Sequence, residues 1–265
     1  ESYLKAKLIL FKKILKINSN IVTDKDINEF TTLKNIAKKR RLKIIEISKI
    51  VKKIRDVSWC ANNEFKIKNL AMAIAATKLC GLRDNFFFKS LEKIKDVEGR
   101  LELVKKFPHN IKVFVDYAHT PDALLKVLNS LKVSYGENIS LVFGCGGDRD
   151  KKKRSLMAKV ANKYSKKIYI TDDNPRNEDP QKIRNEIIKK ISAFKCFDIG
   201  NRTKAISKAI INAEPNEVIL IAGKGHEDKQ IYKNKIIYIS DKKIIKNLKY
   251  KIKFSSKKKQ NYVQN

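Results

Sequence analysis

An α/β fold with a mostly parallel sheet is predicted for the larger part of this 265-residue chain. Two observations carry the prediction. The short apolar runs KVFVDYA, ISLVFG, KKIYITDD, EVILIAG and KIIYIS recur after residue 110, each bounded by Gly, Asp or Asn, as strands buried on both faces do. Amphipathic helical stretches alternate with them, and strand–helix alternation implies crossover units with helices on both sheet faces.

Taken in order, residues 1–60 combine an amphipathic helix from Tyr3 to Ile17 with the β-rich run LKIIEIS. A second helix is predicted from Phe65 to Leu79, where Leu70, Ala73, Ile74 and Leu79 form an apolar stripe and Gly81 follows as a stop signal. The charged stretch KDVEGRLELVKKFPHN separates this part from the strand-rich part, with the boundary expected near Phe107-Pro108. Thr120-Pro121-Asp122 supplies an N-cap and a first-turn proline ahead of Leu124, Leu128 and Leu131. Asp179-Pro180 does the same ahead of Ile183, Ile187 and Ile191.

The chain carries 60 Lys+Arg against 28 Asp+Glu, a formal charge of +32, so nucleic-acid binding is the first class to weigh. The lysines are spread along the whole chain, and no helix-turn-helix, zinc-finger or RNP signature accompanies them. Lys, Ile and Asn are abundant together, as A/T-rich codons produce, so the expectation is no specific nucleic-acid partner. A hydrophobic share of 42% supports a folded core and argues against a disordered polycation. No run of eighteen apolar residues occurs, so no membrane span is predicted, and ESYLKAKLILFKK is too charged for a signal peptide. Cys60, Cys80, Cys145 and Cys196 form no CxxC pair and have no His at ligand spacing, which fits free thiols in a reducing, cytoplasmic setting.

In a parallel sheet ligands bind beyond the carboxyl ends of the strands, so the loops there carry the functional reading. One ends in DYAHTPDA with Asp116 and His119, another in FGCGGDRD with three glycines, Arg149 and two aspartates. The others end in TDDNPRNEDP and AGKGHED. Gly144, Gly146 and Gly147 are expected to let the backbone approach a ligand. Arg149 and Arg176 can grip carboxylates bidentately, while Asp173 and Glu227 suit an ammonium group. Together they describe an amino acid, and one with a second amino-acid head would use all four. No GxxxxGK[ST] segment is present.

DYAHTPDAL, FGCGGDRDKKKR, TDDNPRNEDP and IAGKGHEDKQ, in this order and spacing, resemble the Mur ligase family, in its branch that adds meso-diaminopimelate to UDP-N-acetylmuramoyl-L-alanyl-D-glutamate. The resemblance extends back through VEGRLE and NNEFKIKNLAMAIAA to SYLKAKLILF, about residues 1–250. It implies an ATP- and magnesium-dependent, amide-forming ligase of peptidoglycan synthesis that works through an acyl phosphate. Residues 1–107 would be the C-terminal part of a central ATPase domain and residues 108–250 a Rossmann-like amino-acid-binding domain. Residues 251–265 are expected to form a disordered basic tail. The family's UDP-binding domain and its GTNGKT-type loop have no counterpart in these residues, which implies an N-terminally truncated chain, incomplete by itself.

Carried over by motif, Asp173, Asn174, Pro175 and Arg176 match the DNPR element that reads meso-diaminopimelate, and Arg149, Gly223 and Glu227 match further amino-acid contacts. Lys7 matches the lysine that is carbamylated in the family to become a magnesium ligand. Asn69, Arg100, Asp116 and His119 match the nucleotide region, Asp116 and His119 with catalytic roles beside Lys7. Glu64, Lys66, Ser155 and Lys229 depart from the residues usual at their positions. The implied partners are UDP-MurNAc-dipeptide and meso-diaminopimelate, and the expected state is a monomer. Within the same architecture, another Mur-type or folylpolyglutamate-type ligase is the alternative, and from a different class a basic nucleic-acid-binding module.

Overall fold

The computed structural model describes residues 2–55, 64–82, 91, 93 and 97–249. Cys60 and the tail 251–265 lie outside the described residues. The chain divides into two compact units, Glu1–Lys95 and Asp96–Asn265.

The first unit opens with helix α1 (Ser2–Ile9), which continues not as α-helix to Ile17 but as a π-helical turn, Leu10–Ile14. The Leu15 N–H donates to the Leu10 carbonyl at 2.9 Å, five residues back, and Leu15 then turns to extended backbone. Strands β1 (Asn20–Thr23) and β2 (Lys43–Glu46) pair in parallel and are linked by α2 (Phe30–Arg40). Helices α3 (Ser48–Arg55) and α4 (Glu64–Leu79) follow, and Ile47, Val51 and Ile54 pack against Ile67, Ala71, Ile74 and Ala75. That set corrects the expected stripe on α4. Ile74 is on it, but Ala73 and Leu79 are exposed and Leu70 is half-buried. The inward stripe runs Ile67, Ala71, Ile74 and Ala75 at spacings of three and four, one residue out of phase with Ala73.

The second unit holds a six-stranded sheet. Its strands are β3 (Glu102–Phe107), β4 (Ile111–Asp116), β5 (Ile139–Phe143), β6 (Lys167–Ile170), β7 (Cys196–Asp198) and β8 (Val218–Ala222). They lie in the order β3-β4-β8-β5-β6-β7, all parallel except β3, which runs antiparallel to β4. Because β3 pairs with β4, the units divide before the charged stretch's strand rather than at Phe107-Pro108.

Helices α5 (Pro121–Tyr135), α6 (Lys152–Tyr164) and α7 (Pro180–Ile188) cover one face, burying Leu124, Leu128, Leu131, Met157, Ile183 and Ile187. Helices α8 (Arg202–Ile211) and α9 (Asp241–Asn247) cover the other through Ile206, Ile210 and Ile245. Both expected caps form: Thr120 Oγ1 accepts from the Ala123 N–H at 3.3 Å, and Asp179 Oδ1 from the Gln181 N–H at 2.7 Å. Four of the five apolar runs are parallel sheet strands. The fifth, KIIYIS, is not: Lys235–Tyr238 (β10) forms an exposed antiparallel hairpin with Lys229–Tyr232 (β9). The tight turn between them leaves no room for a crossover helix, so β10 has no route into the parallel sheet. Among the described residues no helix is long and apolar enough to cross a membrane.

Candidate functional site

The loops after β4, β5, β6 and β8 meet at one end of the sheet, where the insertion of β8 between β4 and β5 makes a topological switch point. They enclose a cleft of about 240 Å³ lined by His119, Arg149, Asp173, Asn174, Arg176, Gly223 and Glu227, with Tyr117, Cys145 and Lys153 between them. Seven residues predicted separately from four stretches of sequence are thus brought to one cavity.

The loops after β5 and β6 are joined by backbone and side-chain hydrogen bonds. The Gly147 N–H donates to the Asn174 carbonyl at 2.9 Å, and Asp148 Oδ2 accepts from Asn177 Nδ2 at 2.8 Å. Gly147 serves this joint rather than a ligand, since a Cβ there would stand 1.9 Å from the Pro175 carbonyl oxygen. The expectation that this glycine opens the backbone to substrate is corrected accordingly. Below the loops, Glu178 accepts from Arg154, which draws its carboxyl down to about 2 despite the opposing effect of burial. The DNPR loop is fastened by Gln230, whose Nε2 donates to the carbonyls of Asp172 and Asp173 at 2.8 and 2.9 Å. Asp172 in turn accepts from Arg184 and, at 2.9 Å, from the Tyr232 hydroxyl. Burial and the Asp172 carboxylate push the Tyr232 phenol well above its ordinary range, so it stays a donor.

Within the cleft, Arg176 Nη1 donates to the carbonyls of Gly147 and Asn174 at 2.9 and 3.3 Å, and its other donors make no protein hydrogen bond among the described residues. Its backbone sits at φ 53°, fixed by the Arg176 N–H to the Ile231 carbonyl and by the Lys233 N–H to its own carbonyl. Arg149 is exposed. Asp173, only 9% exposed, packs against Gly223, where a Cβ would lie 2.7 Å from Asp173 Oδ2. Glu227 Oε2 accepts from Asn174 Nδ2 at 3.3 Å. Burial, followed by the Glu227 carboxylate, raises the Tyr117 phenol above its ordinary value. Pro175 is buried and its carbonyl accepts from the Glu178 N–H, so it shapes the loop rather than facing the cleft. Cys145 lines the wall, but burial pushes its thiol up to about 12 and leaves it without nucleophilic character.

The nucleotide-region residues separate. Arg100 is exposed and its guanidinium lies 4.3 Å over the Tyr117 ring. Asp116 is buried, and its two oxygens accept from the Leu101 and Ala118 N–H groups at 2.6 and 2.7 Å, so it shapes the β4 loop. His119 is exposed, with Nδ1 2.9 Å from the Tyr117 carbonyl. Lys7 and Asn69 belong to the first unit, and both are exposed. The Lys7 ammonium lies 4.5 Å over the Tyr3 ring. Among the described residues no group of three or more His, Cys, Asp or Glu is arranged to hold a metal ion.

Sequence reasoning missed Tyr117, Lys153, Lys224, Gln230 and Tyr232. Lys224 and Gln230 stand inside quoted motifs, but a lysine among 60 basic residues carries no signal of burial.

Residues 99–225 match the family described as Mur ligase, glutamate ligase domain. Over 93% of its length the chain is 38% identical to the UDP-N-acetylmuramoyl-L-alanyl-D-glutamate--2,6-diaminopimelate ligase of Rickettsia montanensis, of which it covers 55%. The chain therefore spans about half the length of the curated relatives it matches. A solved structure of an enzyme of the same name aligns with 92% of the chain and 55% of its own at a TM-score of 0.55 and 26% identity. The bifunctional folylpolyglutamate synthase/dihydrofolate synthase of Yersinia pestis, solved with AMPPNP and a Mn ion, shares the fold at a TM-score of 0.58 and 17% identity. With the four loop motifs gathered on one cleft and these likenesses along nearly its whole length, the chain belongs to the Mur ligase family.

Proposed function

We propose that this chain carries the amino-acid-binding part of a cytoplasmic ligase that joins meso-diaminopimelate to UDP-N-acetylmuramoyl-L-alanyl-D-glutamate. The observation that carries the reading is the pairing of two guanidinium groups, Arg149 and Arg176, with two carboxylates, Asp173 and Glu227, around one cleft. A diamino diacid presents two ammonium and two carboxylate groups, and a cleft with this charge pattern neutralises a whole amino-acid head at each end. L-Lysine lacks the distal carboxylate and leaves an arginine unpaired.

In the reaction the glutamyl carboxylate of the nucleotide substrate is phosphorylated by ATP, and the free amine of the diamino diacid attacks the acyl carbon. The amide bond forms as phosphate leaves and the amine gives up a proton. This chain's part is positioning: Arg176 and Arg149 bind the carboxylates, and Asp173 and Glu227 bind the ammonium that does not react. His119 is an exposed residue of the cleft lining, while Asp116 acts through the shape of its loop. Residues of the first unit are the part assigned to a central ATPase domain, with its Asn69, and Arg100 of the second unit, on the nucleotide side. ATP and magnesium are the proposed cofactors of the whole enzyme. Among the described residues no group of His, Cys, Asp or Glu is arranged as a magnesium site, and unmodified Lys7 offers no oxygen ligand.

Calorimetric titration of the chain with meso-diaminopimelate, with L-lysine as control, tests the proposal. Selective uptake of meso-diaminopimelate is the expected result. Equal affinities for the two would overturn the distal-carboxylate reading.

A further inference from the structure

Lys224 has no exposed surface, although its loop neighbours Gly223 and Glu227 line the cleft. Gly223 and Gly225 flank it at φ 112° and 55°, conformations that turn the backbone sharply on both sides. An ammonium taken out of water needs acceptors on every side. Lys224 Nζ finds three, and all belong to the site or its support: Asn174 Oδ1 and Glu227 Oε2, each at 3.4 Å, and the Lys229 carbonyl.

The contact with Asn174 has a directional effect. Asn174 Oδ1 accepts from Lys224 Nζ and, at 3.1 Å, from the Ile231 N–H. Turning the amide over would set its two N–H groups against an ammonium and a backbone N–H, four donors with no acceptor. The amide is therefore locked with Nδ2 as the donor on the side of Glu227 Oε2, 3.3 Å away. Glu227 is tethered by the same ammonium, three residues along the chain.

We propose that Lys224 is a positioning residue for amino-acid recognition, locking Asn174 as a hydrogen-bond donor to the cleft and holding Glu227 as its acceptor, so that a bound zwitterion is read in one orientation. This rests on the reading of the cleft as an amino-acid site, but the locking itself is a property of the empty protein. Two measurements separate the two. In the nitrogen-15 NMR spectrum of the whole chain, the Asn174 side-chain amide, assigned by its loss in Asn174→Ala, is expected to show a dispersed, slowly exchanging pair of protons. Lys224→Met, which removes the donors at nearly constant volume, should move that pair to the averaged position of a solvated asparagine while core signals stay in place. Unmoved Asn174 signals would overturn the proposal. Should Lys224→Met not fold, Lys224→Gln, neutral and shorter, is read by the same signals with the same two outcomes.

For the ligand, Lys224→Met is expected to weaken meso-diaminopimelate about tenfold or more in the otherwise native chain and less than about twofold in an Asn174→Ala background, because the two act as one unit. Equal losses in both backgrounds would also overturn the positioning role. Absence of binding by the native chain would count against the amino-acid reading, and the amide signals would still decide the role of Lys224.

Discussion

Arg154 and Glu178 meet fork to fork, with Nη1 donating to Oε2 at 3.0 Å and Nη2 to Oε1 at 2.8 Å. The arginine is 1% exposed at the start of α6 and the glutamate follows the DNPR element, so one ion pair fastens the loops after β5 and β6 to each other. A buried guanidinium stripped of its carboxylate is costly. Glu178→Ala is expected to destabilise the chain by about 3 kcal/mol, the lower end for a broken buried pair, since Glu186 still reaches Arg154. Chemical denaturation of variant against native chain measures it.

The same pair sets an acid limit. With its folded-state carboxyl held at about 2 by Arg154, below the ordinary glutamate value, Glu178 contributes stability that is fully present above that ordinary value. The contribution falls as pH drops toward 2. Unfolding free energies of the native chain and Glu178→Gln should therefore differ most near neutrality and converge between about pH 4.5 and 2. A gap that persists unchanged at pH 2 would contradict the pairing.

Leu128 has no exposed surface in the layer between α5 and the sheet. Leu128→Ala is expected to cost about 2–5 kcal/mol through lost burial and the cavity left behind. Thermal and urea unfolding would give the value, and a cost below about 1 kcal/mol would mean that this face repacks.

Arg176→Ala should weaken meso-diaminopimelate more than L-lysine, because only the former has a carboxylate for the free guanidinium donors. A charged bidentate contact is worth about 1.5–3 kcal/mol, roughly tenfold to a hundredfold in affinity. Calorimetry with both ligands decides it, and equal losses would remove Arg176 from the distal carboxylate.

Gly147→Ala forces a methyl group into the Pro175 carbonyl. The expected result is separation of the β5 and β6 loops: amino-acid affinity falls at least tenfold, while far-ultraviolet circular dichroism is unchanged because the sheet lies below the joint. Full affinity in the alanine variant would show that the loops are not joined there.

Much of this architecture is legible from residues in order along the chain. Thr120-Pro121 and Asp179-Pro180 announce helices by local chemistry, and the runs at β4, β5, β6 and β8 by unbroken apolarity. The strand ELVKKF escapes notice because an edge strand pairs on one side only and carries charge on its free faces. KIIYIS misleads for the opposite reason. Its composition matches that of a buried strand, and only its short hairpin turn keeps it at the surface. The helix Glu64–Leu79 is found, but its inward face depends on α3, which periodicity in one segment does not report. In the cleft, arginines, carboxylates and glycines reveal themselves by type. Their supports do not, because Gln230 and Lys224 acquire meaning only from partners brought near by folding: Gln230 acts on residues 57 and 58 positions away, and Lys224 on one 50 positions away.

Strand β8 lies between β4 and β5 yet is the last of the six to leave the ribosome. Without residues 218–222 the strand order breaks into two parts, β3-β4 and β5-β6-β7, whose inner edges would be unpaired. Those edges, IKVFVD from Ile111 to Asp116 and ISLVF from Ile139 to Phe143, are mostly apolar and could recruit a strand from another chain. The strand that closes the gap is followed at once by Gly223, Lys224 and Glu227. Sheet closure and pocket assembly are therefore the same late event in biosynthesis, and a chain stopped short of it would be both sticky and unable to bind.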